Sequence, residues 1–300
     1  MFTRTLPQIV RLRKHQNFGL LQKSMNRSCE QRFLIEDTID ELDASLLMPR
    51  LLFFGSLLVC LFPAQAQNRL LRWNANETVV ALLESMPSGG GYLATNAATH
   101  DLQSAVQVRG GQLDVNPLAA RPTYCSGATY LVFVRAIQSS LSRNALEGPV
   151  AEALAIRGQP DGVGIWGRWN ANGPGTACLF RELGLGHNFT SFDAARRGDF
   201  MKIFWTGAVG SRERGHSVIY LGRFQQNGVE MIQFWSSNKP LGYSVKSVPR
   251  SRIACAIFSR LETPANIQRA TALPLRNSYL ASLLTNESSI AEALKQSATE

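Results

Sequence analysis

The sequence predicts an α+β fold in which N-terminal helices pack on an antiparallel β-sheet. Apolar residues recur at spacings of three and four before about residue 197, and after it they form short runs separated by turn residues. Helices followed by a series of strands are typical of α+β proteins. The composition, 45% hydrophobic and 18% charged, is typical of a globular protein with one large or two small domains.

The first 66 residues predict targeting rather than folded structure. Met48-Pro49-Arg50 precedes an apolar run over 51–62, and Ala64-Gln65-Ala66 supplies a small-residue cleavage pattern. This order predicts a secretory signal peptide, 48–66, that is cut after Ala66. Residues 1–47 precede this pattern, and we favour Met48 as the true start of translation over the alternative of an unusually extended leader. We therefore expect a secreted, periplasmic protein without a stable membrane anchor after cleavage.

Helical spacing predicts the elements of the first half. Helices are expected over 76–86, 150–157 and 178–183, in a turn at 192–196, and from Cys125 to about Leu141, with 96–108 either a weaker helix or a loop with a short strand. Asn74 or Asn76 caps the first helix, and Gly184 ends the one at 178–183. Residues 158–175 are rich in Gly, Pro, Asn and Trp, which predicts a long functional loop.

Strands dominate the second half. They are expected over 200–205, 216–221, 229–235, 243–248 and 253–261, of which the last also fits a helix. Gln226-Asn227-Gly228 predicts a hairpin turn between two of them. The sequence thus predicts one domain over 67–270. A polar C-terminal tail, 271–300, follows, with a short amphipathic helix at 290–296.

The charge of the chain bears on its partners. It has 31 basic and 22 acidic residues, a net charge of +9, and residues 67–300 keep 23 and 16 of these. A basic exported protein suits an anionic partner such as a cell-wall polymer or a membrane surface. The alternative, which the thin spread of the charge favours, is an ordinary solvated surface. The sequence contains no basic block interleaved with aromatic residues, which is the pattern typical of nucleic-acid binding, so we do not expect a nucleic-acid partner. The sequence shows neither the ligand spacing of a metal site nor a glycine-rich cofactor motif, so we expect no metal and no cofactor. We also expect a monomer.

Cysteine number is informative in an exported chain. Cys125, Cys178 and Cys255 are the three of five cysteines that lie beyond the signal peptide. An oxidising compartment permits disulfides, and an odd number leaves one thiol unpaired. A disulfide between Cys178 and Cys255 would leave Cys125 free, and the alternative is that all three are reduced.

Cys125 and His216 are the candidate nucleophile and base. Cys125 begins an apolar helix, where unpaired amides and the helix dipole favour a thiolate. His216 begins an apolar strand directly after Gly215, and alternation puts it on one face with Val218 and Tyr220. If that face meets the core helix, His216 is placed to share a proton with the thiol.

A third group would orient the imidazole. The neighbouring strand offers Gln233, Ser236, Ser237 and Asn238. We favour Gln233 and keep the other three as candidates. Trp166, Trp169 and Trp235 are candidates for the walls of a substrate cleft.

Three motifs come in a recognisable order. Tyr124-Cys125-Ser126-Gly127 opens a helix, Arg197-Gly198-Asp199-Phe200 opens a strand, and Gly215-His216-Ser217-Val218 opens the next. Over about 115 residues, 123–238, the chain resembles the NlpC/P60 superfamily of papain-like cysteine peptidases. Two departures are a longer segment between the cysteine helix and the Gly-Asp strand, and Gln233 near the place of the usual third polar residue, often histidine.

The resemblance implies a papain-like fold, with the cysteine helix packed on an antiparallel sheet. It implies Cys125 as nucleophile, His216 as base and hydrolysis of amide bonds in peptidoglycan stem peptides. It also implies an oxyanion site at the amide of Cys125, with Tyr124 and Ser126 beside it. Two further hypotheses are a non-catalytic wall- or ligand-binding domain on the same fold, and an acyl or amide transferase that uses the same cysteine and histidine.

Overall fold

The computed structural model describes residues 74–300. The predicted leader and signal peptide lie outside these residues. Several helices and a seven-stranded antiparallel sheet make up the described part, so the predicted α+β class is confirmed. None of the helices within 74–300 is long and apolar enough to cross a membrane.

The first half is mainly helical. It contains α1 (Ala75–Glu84), β1 (Gly89–Gly90), α2 (Asn96–Ala105), β2 (Val106–Arg109), β3 (Gln112–Val115), α3 (Cys125–Ser140), α4 (Pro149–Leu154), α5 (Gly164–Asn170), α6 (Gly175–Leu183) and β4 (Gly186–Phe189).

The second half contains β5 (Phe200–Phe204), β6 (Val209–Gly210), β7 (Gly215–Gln226), β8 (Val229–Asn238), β9 (Gly242–Pro249), β10 (Cys255–Leu261), α7 (Ser278–Ser282), β11 (Glu287–Ser288) and α8 (Ile290–Gln296). Short 3-10 helices occupy Pro117–Ala119, Arg143–Leu146, Arg250–Arg252 and Pro264–Ala272.

Local signals explain where several elements begin and end. The Asn74 side chain caps α1 by accepting from the Asn76 amide at 3.1 Å. Gly184 ends α6 in the left-handed conformation, at φ 66°. Asn227 and Gly228 both have positive φ in the β7–β8 turn, as a two-residue hairpin requires. These predicted boundaries are confirmed.

The large sheet has the order β1-β9-β8-β7-β5-β10-β4. One face carries Phe200, Ile219 and Trp235 and shares a core with α3, which is buried on nearly all sides. The other face carries Met201 and Val218 in a second apolar cluster. Alternation along the strands separates the two cores, and the start of α3 meets the sheet near the beginning of β7.

The predicted loop over 158–175 is wrong, because it contains helix α5. Glycine marks close approach here rather than a loop. A side chain on Gly167 would overlap the carbonyl oxygen of Pro160, and one on Gly175 would overlap that of Arg168. The predicted helical turn at 192–196 is also wrong: a turn covers only 192–194, and the Arg196 amide donates forward to Oδ2 of Asp199 at 2.7 Å.

The C-terminal segment packs on the rest of the domain. β11 pairs with β6, and the predicted helix over 290–296 forms as α8. Beyond it, the Glu300 amide donates to the Asn188 carbonyl at 3.1 Å, and the Thr190 amide donates back to the Glu300 carbonyl at 3.1 Å. The segment predicted as a polar tail is therefore a structural part of the molecule.

Candidate functional site

Cys125 is the first residue of α3 and is partly exposed. The chain just ahead of it is fixed to the sheet by two hydrogen bonds. Ser237 donates its hydroxyl to the carbonyl of Thr123 at 2.8 Å, and Tyr243 donates to that of Ala120 at 2.9 Å. The start of α3 is thereby fixed against β8 and β9, with Cys125 partly exposed.

The thiol of Cys125 is strongly acidified. Burial opposes its ionisation, but it is outweighed by the charge of His216 and a hydrogen bond with that side chain. The backbone N–H of Ser217 and the positive charge of Lys202 act in the same direction. Together they lower the pKa of Cys125 to about 6, from an ordinary value of 9.0. A cysteine with this pKa is mainly a thiolate at neutral pH, which is its nucleophilic form.

His216 is held between Cys125 and Asn238. Its Nε2 lies 3.0 Å from Oδ1 of Asn238. Because the Asn238 amide nitrogen donates to the Ser244 carbonyl at 2.8 Å, Oδ1 is the acceptor and Nε2 carries the hydrogen. That leaves Nδ1 for the thiol. Phe234 packs edge-on against the ring, with centroids 5.7 Å apart.

Asn238, and not the favoured Gln233, therefore lies behind the imidazole. Ile219 pairs with Trp235, and three more residues along each strand bring His216 opposite Asn238. Gln233 pairs instead with Gly222, six residues from His216, which is roughly 20 Å along the strand. Ser236, a further candidate on β8, donates to the Ser217 carbonyl at 2.7 Å and does not face the ring nitrogen.

The expectation that the His216 face of the strand meets the core helix is also wrong. Val218 and Tyr220 share that face by alternation, and both lie in the apolar cluster on the opposite side of the sheet from α3. His216 reaches Cys125 because it sits at the end of the strand, where the imidazole passes beside the start of the helix.

Tyr92 is a site residue that the sequence analysis missed. Its hydroxyl is hydrogen-bonded to the Cys125 side chain, and burial together with the nearby thiolate raises the pKa of Tyr92. Backbone pairing of Tyr92 with Thr123 brings it there from 33 residues away. Lys239 lies over its ring, with Nζ 5.0 Å from the centroid. A lone tyrosine after a glycine run carries no sequence signal for this role.

Tyr124 and Ser126, the expected oxyanion residues, point elsewhere. The Tyr124 hydroxyl is hydrogen-bonded to Thr99 at 3.2 Å. Ser126 donates to Oδ1 of Asn170 at 2.7 Å, and Asn170 donates in turn to Asp161 at 3.2 Å. The side chain of Ser126 thus begins a polar network that leads from the residue after Cys125 to a half-buried carboxylate.

The three tryptophans do not wall an open cleft. Trp166 and Trp169 are 1% exposed and Trp235 is 5% exposed. Trp169 stacks on Phe133 at 4.7 Å and donates its Nε1 hydrogen to the Ser126 carbonyl at 3.1 Å. These side chains support the start of α3 from inside, so their role is in packing.

Cys178 and Cys255 are both free, and the predicted disulfide is not formed. Cys178 is buried beneath the C-terminal segment and donates its thiol hydrogen to the Gln296 carbonyl, at 3.6 Å. Burial raises the pKa of Cys178 to about 12 and also raises that of Cys255. Of the three cysteines in 74–300, Cys125 alone has a lowered pKa.

Among residues 74–300, no group of three or more His, Cys, Asp or Glu side chains is arranged to hold a metal ion. A surface cavity of about 570 Å³ lies at the far end of α3, lined by Arg109, Gln138, Arg143 and Leu146 among others. Gln138 is 13 residues along the helix from Cys125, or about 20 Å, so this cavity is separate from the thiol.

Comparison with protein-family models, with curated proteins and with solved structures found no match for this chain.

Proposed function

We propose that this chain is a secreted, periplasmic cysteine hydrolase of the papain-like NlpC/P60 type, which cleaves amide bonds in peptidoglycan stem peptides. The observation that carries the proposal is the line formed by Cys125, His216 and Asn238. A partly exposed thiol of lowered pKa is hydrogen-bonded to an imidazole, and an amide oxygen lies 3.0 Å behind that ring. Nucleophile, base and orienting group in this order are what acyl transfer by cysteine requires.

Acylation follows from the site geometry. The Cys125 thiolate attacks the scissile carbonyl carbon, and the carbonyl oxygen becomes an oxyanion. The backbone N–H of Cys125 is among the first amides of α3, which have no acceptor within the helix and point toward incoming negative charge. The Tyr92 hydroxyl, already beside the sulfur, is the second donor. His216 then gives its Nδ1 proton to the leaving nitrogen as the C–N bond breaks.

Deacylation uses the same groups in reverse. Neutral His216 takes a proton from water as the water oxygen attacks the thioester carbon. The C–S bond then breaks to release the thiolate and a carboxylic acid, which loses its proton to solvent. Asn238 keeps the ring in one tautomer through both steps by accepting from Nε2. Its own amide is fixed by the Ser244 carbonyl, so the ring cannot flip without breaking a buried bond.

The substrate class rests on three supports. The sequence resemblance favours a wall peptide, the signal pattern at 48–66 favours export, and the positive charge of residues 67–300 favours an anionic polymer. The hypothesis of a binding domain depended on a tryptophan-lined cleft, and the burial of Trp166 and Trp169 leaves that hypothesis without its main support.

The test is digestion of purified peptidoglycan and soluble muropeptides, with products identified by mass spectrometry. We expect the wild-type protein to release fragments with one new amine and one new carboxylate, and Cys125→Ala to release none. Cys255→Ala, a loss of thiol away from the site, is the matched control and should remain active. A glycine-amide acceptor in the mixture would trap transferase activity as an adduct.

The proposed substrate class is refuted if muropeptides stay intact although the wild-type thiol reacts with a disulfide probe at about pH 6. Release of the same fragments by Cys125→Ala would refute the mechanism.

A further inference from the structure

A buried ion pair lies beside the candidate site. The Lys202 ammonium is 2.6 Å from Oε1 of Glu213, and the two side chains are 12% and 2% exposed. The other carboxylate oxygen of Glu213 accepts from the backbone amides of Gly173, at 2.5 Å, and Gly210, at 3.4 Å. Glu213 is therefore held from three directions. Moving Lys202 away would leave a buried carboxylate without its cation, which is strongly unfavourable.

The register of the sheet directs this cation toward Cys125. Lys202 pairs with Ser217 across β5 and β7, and the Ser217 backbone N–H is the one that approaches the thiol. By alternation, Lys202 also shares the strand face of Phe200, which meets α3 in the main core. The ammonium and the sulfur thus lie over the same pair of strands, on the side of the sheet from which α3 starts.

Gly215 is what admits the ion pair at this place. A side chain there would put its Cβ 2.6 Å from Oε1 of Glu213 and 2.9 Å from Cε of Lys202. A larger residue directly before His216 would force one of these two buried side chains to move. The Gly-His start of β7 is therefore a packing requirement of the pair as much as a feature of the strand.

We propose that Lys202, anchored by Glu213, is a positioning residue for the reaction: its ammonium stabilises the Cys125 thiolate and its ion pair holds the start of β7, with His216, in place. This rests on the proposed role of Cys125 as nucleophile, but not on the identity of the substrate. The charged and titratable groups around Cys125 are His216 from β7, Tyr92 from the chain before α2, Tyr124 from the residue before α3, and Lys202. Those around the Lys202–Glu213 ion pair are Asp161 from the chain before α5 and Tyr279 from α7.

The experiment measures thiol reactivity against pH in the full-length protein, with 2,2′-dithiodipyridine as the probe and Cys125→Ala as the background. We expect Lys202→Met to raise the midpoint of the Cys125 profile by about half to one pH unit, because one of the two cations that act on the thiol is removed. Lys202→Arg keeps the charge and should return the midpoint to within about 0.3 unit of wild type. If the methionine variant does not fold, Lys202→Gln, whose amide can still donate to Glu213, gives the same test.

Arg260 and Asp199 provide the control for lost stability. They form an ion pair that is 10% and 0% exposed, close to the burial of Lys202 and Glu213, and neither of its members acts on the thiol. Arg260→Met should therefore lower the unfolding temperature without moving the thiol midpoint. The proposal is overturned if Lys202→Met leaves the midpoint unchanged, or if Arg260→Met moves it equally. Absence of an acidified thiol in the wild type would instead refute the proposed function.

Discussion

Removal of the His216 imidazole should have a large and calculable effect on Cys125. In the wild type, the charge and hydrogen bond of His216 are the main contributions that oppose burial and bring the pKa of Cys125 to about 6. In His216→Ala burial remains, and only the Ser217 amide and Lys202 oppose it. We expect the pKa of the thiol to return at least to its ordinary value of 9.0.

Such a shift changes the thiolate population by orders of magnitude. At pH 7 the ionised fraction falls from about 0.9 to about 0.01 when the pKa rises by about three units. A more basic thiolate is intrinsically more nucleophilic. With a Brønsted slope near 0.45, the rate constant of each thiolate rises about 20-fold, which offsets part of the loss. The net loss in rate toward a disulfide is therefore only about fourfold at pH 7, but about 20-fold at pH 6.

The assay is release of thiopyridone from 2,2′-dithiodipyridine, followed between about pH 4.5 and 9.5 for wild type and His216→Ala. Subtraction of the Cys125→Ala rate removes every other cysteine of the chain. Because Cys125 has a depressed pKa, its fast reaction should persist down to about pH 6 and be lost below it. A wild-type midpoint above about pH 8 would refute the lowered pKa of Cys125. Equal rates for both proteins at about pH 6 would refute its dependence on His216.

Three other outcomes are expected within the described residues, and a fourth concerns the leader. Asn238→Ala should lower kcat for the proposed hydrolysis by about 10- to 100-fold and stability by about 1–3 kcal/mol, since it frees the imidazole and leaves the Ser244 carbonyl unpaired. Gln233→Ala should stay within about twofold of wild type in kcat, and a larger loss would restore Gln233 as a candidate. Gly215→Ala should cost about 1–3 kcal/mol in chemical denaturation, because its Cβ overlaps the Lys202 ion pair. Amino-terminal sequencing of exported protein should begin at Gln67, and an intact leader would contradict the signal-peptide prediction.

Most elements of the fold can be predicted from local sequence signals. Apolar spacing with a small-residue start predicts α3 as it is observed, and Asn227-Gly228 fixes the hairpin because both residues must adopt positive φ. The failures arise where one residue type serves two purposes. Glycines at 167 and 175 permit close packing of α5 and α6, yet along the chain they are indistinguishable from the glycines of a loop.

The site was less predictable than the fold. Cys125 and His216 each stand at the start of an element, which is a property visible in sequence. The choice of Asn238 over Gln233 depends on how β7 and β8 are registered, and a bulge at Tyr220 and Gly222 shifts that register. Residues brought in by distant backbone pairing, such as Tyr92, have no local signal at all.

The attachment of the start of α3 to the sheet has a mechanical consequence. Cys125 and His216 belong to different layers, so a slide of the helix by about half an ångström along the sheet would change the sulfur–imidazole separation by a similar amount. The hydrogen bonds from Ser237 to Thr123 and from Tyr243 to Ala120 restrain such sliding between the two layers. Loss of either hydroxyl should therefore disturb the alignment of the Cys125 thiol and the His216 imidazole even where the strands stay paired.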